Sequence, residues 1–160
     1  RLLEHWSEQR LADVIYQYGE ERFSRKIAKR IVESRKTKPV RTAADLASLV
    51  CACVPRSRGH DIHPATRTFQ ALRIAVNGEL DALKEALALI PDCLRRSGRI
   101  AVISFHSLED RIVKWAFRND ERLNVLTCRP VTADEREIAS NPRARSAKLR
   151  VAERTEDAES

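Results

Sequence analysis

The hydrophobic pattern of this 160-residue chain changes once, at Ser97-Gly98, and this change limits the folds open to it. Before that point, apolar residues recur at the three- and four-residue spacing of amphipathic helices. After it, the branched apolar run RIAVISF at residues 99–105 predicts a buried strand and begins a strand–helix–strand–helix–strand order. Such an order is half of an α/β layer. The sequence therefore predicts an α/β protein in which a helical module precedes a partial sheet.

Five helices are predicted in the first part of the chain. Gly19 should end the first of them, because glycine tolerates the left-handed conformation found at helix ends. Thr42, followed by Asp45 three residues later, predicts a capping box. Pro64 suits a helix start, where its missing N–H would have no partner in any case. The predicted helices cover about residues 2–18, 20–35, 42–54, 63–77 and 80–90.

The second part of the chain predicts three strands, at about residues 99–105, 123–128 and 146–153. Ser107 should cap the helix that follows the first strand. Acidic residues near its start predict a short helix at about residues 132–139. Asn141-Pro142 predicts a turn, and the residues after Arg154 are expected to fray.

The composition is that of a globular protein. Hydrophobic residues make up 42% of the chain, yet no apolar run approaches the ~20 residues of a membrane span. No signal-peptide pattern opens the chain, so we expect a cytoplasmic protein without a membrane partner. The net charge of +7 fits a polyanionic partner, or simply solvated basic faces. The chain lacks methionine and begins inside a helical pattern, so we interpret it as a piece of a longer protein.

No metal site is predicted. The four cysteines include the C-x-C pair Cys51 and Cys53, but no second pair that would complete a tetrahedral zinc site. Reduced cysteines packed as small hydrophobic residues are therefore expected. His60, Asp61 and His63 are interpreted as a polar loop rather than as metal ligands.

Three candidate catalytic residues follow the first predicted strand. In open α/β sheets, ligands bind beyond the carboxyl ends of the strands, which is where His106, Glu109 and Asp110 are expected. An imidazole or carboxylate there could orient a reacting group and accept its proton. The alternative is purely structural, with the carboxylates satisfying N–H groups at the helix start and His106 bonding locally. Without further information, the structural alternative is favoured.

Five basic residues are candidates for contacts with RNA phosphates. Arg143, Arg145 and Lys148 follow the predicted turn, which would bring them to one edge of the sheet. Arg67 and Arg73 lie on the fourth predicted helix, whose apolar residues, Phe69, Leu72 and Val76, are expected in the core. For Arg143, Arg145 and Lys148 the alternative is pairing with local carboxylates. Arg67 and Arg73 could instead contact loops near a cofactor or a carboxylate across the domain junction.

Three blocks of sequence together resemble one protein family. They are HPATRTFQALRIAVN at residues 63–77, SFHSLEDRIVK at 104–114 and NPRARSAKLR at 141–150. In this order they resemble the ribosomal RNA small subunit methyltransferase H family. That resemblance implies transfer of a methyl group from S-adenosylmethionine to the exocyclic N4 of a cytidine in 16S rRNA. It also implies 16S rRNA in the small ribosomal subunit as the partner.

The resemblance carries expectations about architecture. In that family a helical domain is inserted into a class I, Rossmann-like methyltransferase domain. Residues 1–76 would be the helical insertion-type domain, residues 77–154 the C-terminal half of the methyltransferase domain, and residues 155–160 a disordered tail. The three strands would be the fifth, sixth and seventh of the sheet. The last of them would be antiparallel and would lie between the other two.

The family's cofactor motifs are missing from this sequence. No glycine-rich turn of the G-x-G type occurs, so we expect no cofactor-binding residues in this chain, although the complete enzyme would use S-adenosylmethionine. The chain alone is expected to be inactive and to leave a strand edge open to self-association. The competing interpretation is a non-catalytic basic module that binds RNA or protein.

Overall fold

The computed structural model describes residues 2–55 and 63–155 and contains two compact units, Arg1–Glu79 and Leu80–Ser160. Of the tail predicted at residues 155–160, only Thr155 is described, and its N–H donates to the Arg122 carbonyl at 2.9 Å. The remainder of that tail, together with His60 and Asp61, lies outside the described residues. Within the described part of the chain, no helix is long and apolar enough to cross a membrane.

The first unit is helical, as predicted. Ser7 caps the second helix, since its side chain accepts from the Arg10 N–H at 3.2 Å, so the single helix predicted at residues 2–18 is two helices. Five side chains that are almost fully buried form the centre of its core: Leu11, Ile15, Ile27, Ile31 and Val50. The helices are α1 (Leu2–His5), α2 (Glu8–Gly19), α3 (Ser24–Thr37), α4 (Ala43–Cys53) and α5 (Thr66–Asn77).

Two helix-end predictions have different outcomes. The capping box at Thr42 is confirmed, because its hydroxyl accepts from the Asp45 N–H and the Asp45 carboxylate accepts from the Thr42 N–H. Gly19, in contrast, is still helical, and the left-handed residue is Glu20, with a φ of 50°. Gly19 is needed for a different reason. A Cβ there would lie 2.6 Å from the Arg67 carbonyl oxygen, so only glycine allows α2 and α5 to approach this closely.

The second unit pairs helices with a small antiparallel sheet. Its strand order is β1-β4-β2, with β4 antiparallel to both neighbours, which is the arrangement that the family resemblance implies for these three strands. A two-residue strand, β3, also pairs with β4 and was not predicted. The elements are α6 (Glu79–Cys93), β1 (Arg99–Ser104), α7 (Ser107–Asn119), β2 (Leu123–Val125), β3 (Val131–Thr132), α8 (Glu135–Ser140), a 3-10 helix (Pro142–Ser146) and β4 (Lys148–Arg154).

The two faces of the sheet differ. One face supplies Ile100, Leu123 and Ala152 to a core that they share with Val113 and Phe117 of α7. The other face carries apolar side chains that are open to solvent. Ile103 is 57% exposed and Val131 is 55% exposed, and both are paired in register with Leu149. Among the described residues, moreover, no strand pairs with the free side of β1.

This open edge and face predict concentration-dependent self-association, because unpaired backbone groups and apolar area are exposed together. We expect Ile103→Lys to shift the chain toward monomer, since a charge on an edge strand opposes pairing with another chain. Light scattering at several protein concentrations measures the effect. Leu89→Lys, on α6 and also at an exposed apolar site, is the matched control. A wild-type chain that stays monomeric at every concentration would contradict the prediction.

Candidate active site at the start of helix α7

The chain bends after β1, and His106, whose own backbone is extended, is the N-cap of α7. The predicted cap, Ser107, is instead the first helical residue. The His106 side chain accepts from the Glu109 N–H at 3.3 Å through Nδ1, and Glu109 Oε2 accepts from the Phe105 N–H at 2.9 Å. Histidine can replace serine here because Nδ1 of a neutral imidazole is an acceptor. These contacts are of the kind that the structural alternative for both residues predicted.

His106 and Glu109 also face one another. His106 Nε2 lies 3.3 Å from Glu109 Oε1, and the His106 side chain is 8% exposed. Because Nδ1 accepts a hydrogen bond, the proton of the neutral ring belongs on Nε2, although the geometry there does not complete a hydrogen bond to Glu109. The two side chains therefore form an imidazole–carboxylate contact pair at the carboxyl end of β1.

Asp110 is held in a different way. Its carboxylate accepts from Arg150 Nε at 2.7 Å and from Arg150 Nη2 at 3.2 Å, and Lys148 Nζ lies 3.7 Å away. The hydrogen bonds from Arg150 hold the pKa of Asp110 below its usual value. A carboxylate with a lowered pKa that is already engaged by a guanidinium is a weak proton acceptor. The geometry therefore favours a structural role for Asp110, which ties α7 to β4.

Phe105 is a feature of this site that the sequence interpretation misplaced. It was assigned to the buried strand, but β1 ends at Ser104 and the Phe105 side chain is 56% exposed. Ser104 is buried instead, and its hydroxyl donates to the Lys148 carbonyl at 3.4 Å. An exposed aromatic ring thus precedes the His106–Glu109 pair directly. In the sequence, only the position of Phe105 directly before a strand-to-helix turn could have indicated that its side chain is exposed.

The basic residues after the predicted turn are accessible. Arg143 and Arg145 lie on the short 3-10 helix, where Asn141 Oδ1 accepts from the Arg143 N–H at 3.3 Å. Both arginines are exposed, and neither forms an ion pair within the described part of the chain. Lys148, at the start of β4, is partly exposed and shares Asp110 with Arg150. This unit therefore presents accessible cations close to one another in sequence, on the element that leads into β4.

The arginines of α5 are more strongly engaged. Arg67 Nη1 donates to the Glu20 carbonyl at 3.4 Å. Arg73 forms a two-point ion pair with Glu79, at 2.8 Å through Nε and 3.0 Å through Nη2. Phe69 packs against the helical core as expected, whereas Val76 is 66% exposed, so its predicted burial is wrong.

The cysteines also depart from their predicted packing. Cys53 is buried, and burial raises the pKa of its thiol. Cys93 and Cys128 are exposed, because α6 ends at Cys93 and Cys128 follows the end of β2. Cys51 Sγ lies 3.7 Å from His63 Nε2. Packing as small hydrophobic residues thus describes Cys53 but not the exposed pair.

Comparison with known proteins identifies the family. Residues 1–155 match the sequence profile of the MraW methylase family. The chain belongs to this family. It is 58% identical over 157 residues to a ribosomal RNA small subunit methyltransferase H of Rhodopirellula baltica. It is 60% identical over 154 residues to the protein of the same name from Synechococcus elongatus.

These relatives are longer than the chain. The match covers 98% of this chain but 48% of the Rhodopirellula protein, and 96% of this chain but 51% of the Synechococcus protein. The chain thus spans about half the length of the curated relatives that it matches. The resemblance found in the three sequence blocks is confirmed at the level of the family.

Proposed function

We propose that this chain is the part of a methyltransferase that receives a cytidine of 16S rRNA for methylation at N4, with S-adenosylmethionine as the methyl donor. The observation that carries the proposal is the His106–Glu109 pair beside exposed Phe105, at the carboxyl end of a strand in a chain of the MraW methylase family. A Rossmann-like sheet with a helical insertion, the division at residues 1–76 and 77–154, and a cytoplasmic location belong to the same proposal.

Methylation of an exocyclic amine sets three demands on these residues. The cytosine must be held out of its stack, and an exposed aromatic ring such as Phe105 is suited to that task. Its amine must be oriented by an acceptor, which the Glu109 carboxylate can provide. The nitrogen gains a carbon and must lose one proton, which the Glu109 carboxylate can take up beside the His106 ring. Asp110 is omitted from this role because Arg150 occupies it.

The described residues do not include the features that bind S-adenosylmethionine, the methyl donor. A binding site for S-adenosylmethionine needs a glycine-rich turn, where the backbone can come close to the ligand, and a carboxylate that accepts from the ribose hydroxyls. The chain has four glycines, at positions 19, 59, 78 and 98, and no two of them are close enough in sequence to form a glycine-rich motif. We therefore derive no step through the cofactor from these residues.

The experiment is methyl transfer by the complete protein to small ribosomal subunits that lack the modification, followed by analysis of the digested nucleosides. N4-methylated cytidine is the expected product. A methyl group on another base, or on protein, would contradict the proposal. The second candidate is a basic RNA-binding module without catalysis, which the exposed Arg143 and Arg145 favour. Tight RNA binding without any transfer by the complete protein would support that candidate.

RNA binding itself is predicted to depend on salt through Arg143 and Arg145. Replacing either by glutamine should weaken binding to small subunits and lower the slope of log K against log salt by about 0.7 to 0.9, since one phosphate contact is lost. Arg73→Gln is the matched control, because its guanidinium is already paired with Glu79 and should change the slope less. Equal slopes for Arg143→Gln and wild type would remove Arg143 from the contact surface.

A further inference from the structure

A second aromatic side chain is exposed on the far part of α7. Trp115 is 50% exposed, although large aromatic residues are usually highly buried. The Lys114 ammonium lies over its ring, 5.2 Å from the centroid. The ring is not part of the core beneath α7, where Val113 and Phe117 are the buried residues. It is therefore available to a partner.

The charged residues of α7 around this ring are all basic. After its first turn, α7 carries three cations, Arg111, Lys114 and Arg118, and no acidic residue. Arg118 is exposed and has no ion pair among the described residues. Arg122, just beyond the helix, is occupied by Asp92 and Asp120 at 2.6 and 2.7 Å. The solvent face of α7 thus suits a polyanion.

Trp115 also forms part of a groove. An open groove of about 770 Å³ runs along α6 and α7, and Leu87, Ala88, Ile112 and Ala116 supply its apolar surface. Asn119, at the end of α7, brings an amide that can donate and accept. Two acidic residues, Glu121 and the paired Asp120, also line it, together with the cations Lys84, Arg111 and Arg122. Apolar surface, one aromatic ring, one amide and nearby cations are what a single-stranded base and its phosphates require.

We infer that α7 from Arg111 to Asn119 is a docking surface for single-stranded RNA, with Trp115 as the platform on which one base stacks. It would hold RNA that flanks the modified nucleotide, since it lies on the same helix as His106 but beyond its first turns. The inference rests on the proposed function only for the identity of that RNA. Stacking itself follows from Trp115 and the cations.

The chain allows a direct optical test, because it has only two tryptophans. The Trp6→Phe variant leaves Trp115 as the sole tryptophan, and a single-stranded RNA oligonucleotide of mixed sequence serves as the probe. We expect saturable quenching of its fluorescence and binding that weakens with salt. In the wild-type background, Trp115→Ala should weaken binding about 5- to 150-fold, whereas Trp115→Phe should retain most of it. Circular dichroism checks that the variants fold.

Tyr16→Ala is the matched control, since Tyr16 is 62% exposed in the first unit and should leave RNA binding unchanged. RNA that binds without quenching Trp115, or with equal affinity to Trp115→Ala, would overturn the inference and leave the surface to a protein partner or to none. The proposed function fails separately. If RNA stacks on Trp115 but the complete protein forms no N4-methylcytidine, only the proposed function is overturned. If Trp115→Ala methylates at the wild-type rate and binds RNA with the wild-type affinity, only the inference about Trp115 is overturned.

Discussion

Replacing Arg150 with methionine is expected to lower the free energy of unfolding of the second unit by about 3–5 kcal/mol. The Arg150 side chain is 7% exposed and that of Asp110 is 14% exposed, so the variant leaves a nearly buried carboxylate without its guanidinium. Lys148, 3.7 Å away, is too distant and too exposed to replace two hydrogen bonds. The loss should be seen as a lower urea midpoint for this unit.

Arg99→Met is the matched control. Arg99 also forms a cross-strand pair between β1 and β4, with Glu153 at 2.8 Å, but its side chain is 69% exposed. Such a surface pair contributes about 1 kcal/mol or less. If Arg150→Met and Arg99→Met shifted the midpoint equally, the tie between α7 and β4 would be no stronger than an ordinary surface ion pair.

The effect of Arg150→Met should also depend on pH. The pKa of Asp110 is lowered in the folded state from its ordinary value of 3.8, chiefly by the hydrogen bonds from Arg150. Its stabilisation is therefore fully present above pH 3.8 and is lost as the pH falls through the lower folded value. The difference between wild type and variant should therefore shrink as the pH falls below 3.8.

Local features that depend only on residues close together in the sequence could be predicted. The capping box of Thr42 and Asp45 depends only on one helix start, so it was predicted correctly. The β1-β4-β2 order came from the family resemblance rather than from any residue pattern. The break at Ser7 was missed because the apolar spacing continues across it. Strand β3 has two residues and pairs with the part of β4 that β2 does not reach, so its sequence shows no strand pattern.

The residues of the candidate site could be predicted from the sequence, but their contacts could not. His106, Glu109 and Asp110 are neighbours in sequence, yet their surroundings separate them into a facing pair and a residue held elsewhere. The partner that decides this, Arg150, lies forty positions away in the chain. The exposure of Phe105 likewise depends on which residues pack over the sheet. The spacing of apolar residues near position 105 does not indicate this.

His106→Ala is expected to reduce the methyl-transfer rate of the complete enzyme by about 10²- to 10⁴-fold, the usual contribution of a positioned proton-transfer group. The substitution removes two things at once. It deletes the N-cap contact to the Glu109 N–H, which is worth about 1 kcal/mol of stability, and the imidazole facing the Glu109 carboxylate. A loss of activity in this variant alone therefore does not distinguish a cap from a group that takes part in the reaction.

The decisive measurement is the single-turnover rate of N4-methylcytidine formation by the His106→Asn enzyme, compared with wild type and His106→Ala. Asparagine is a good N-cap, so this variant should unfold at the wild-type urea concentration, but it removes the imidazole that faces the Glu109 carboxylate. If the start of α7 is the site of the chemistry, His106→Asn will be as stable as wild type and at least about 100-fold slower. A His106→Asn enzyme that reacts at the wild-type rate would show that His106 only caps the helix, and the account of this site would be wrong.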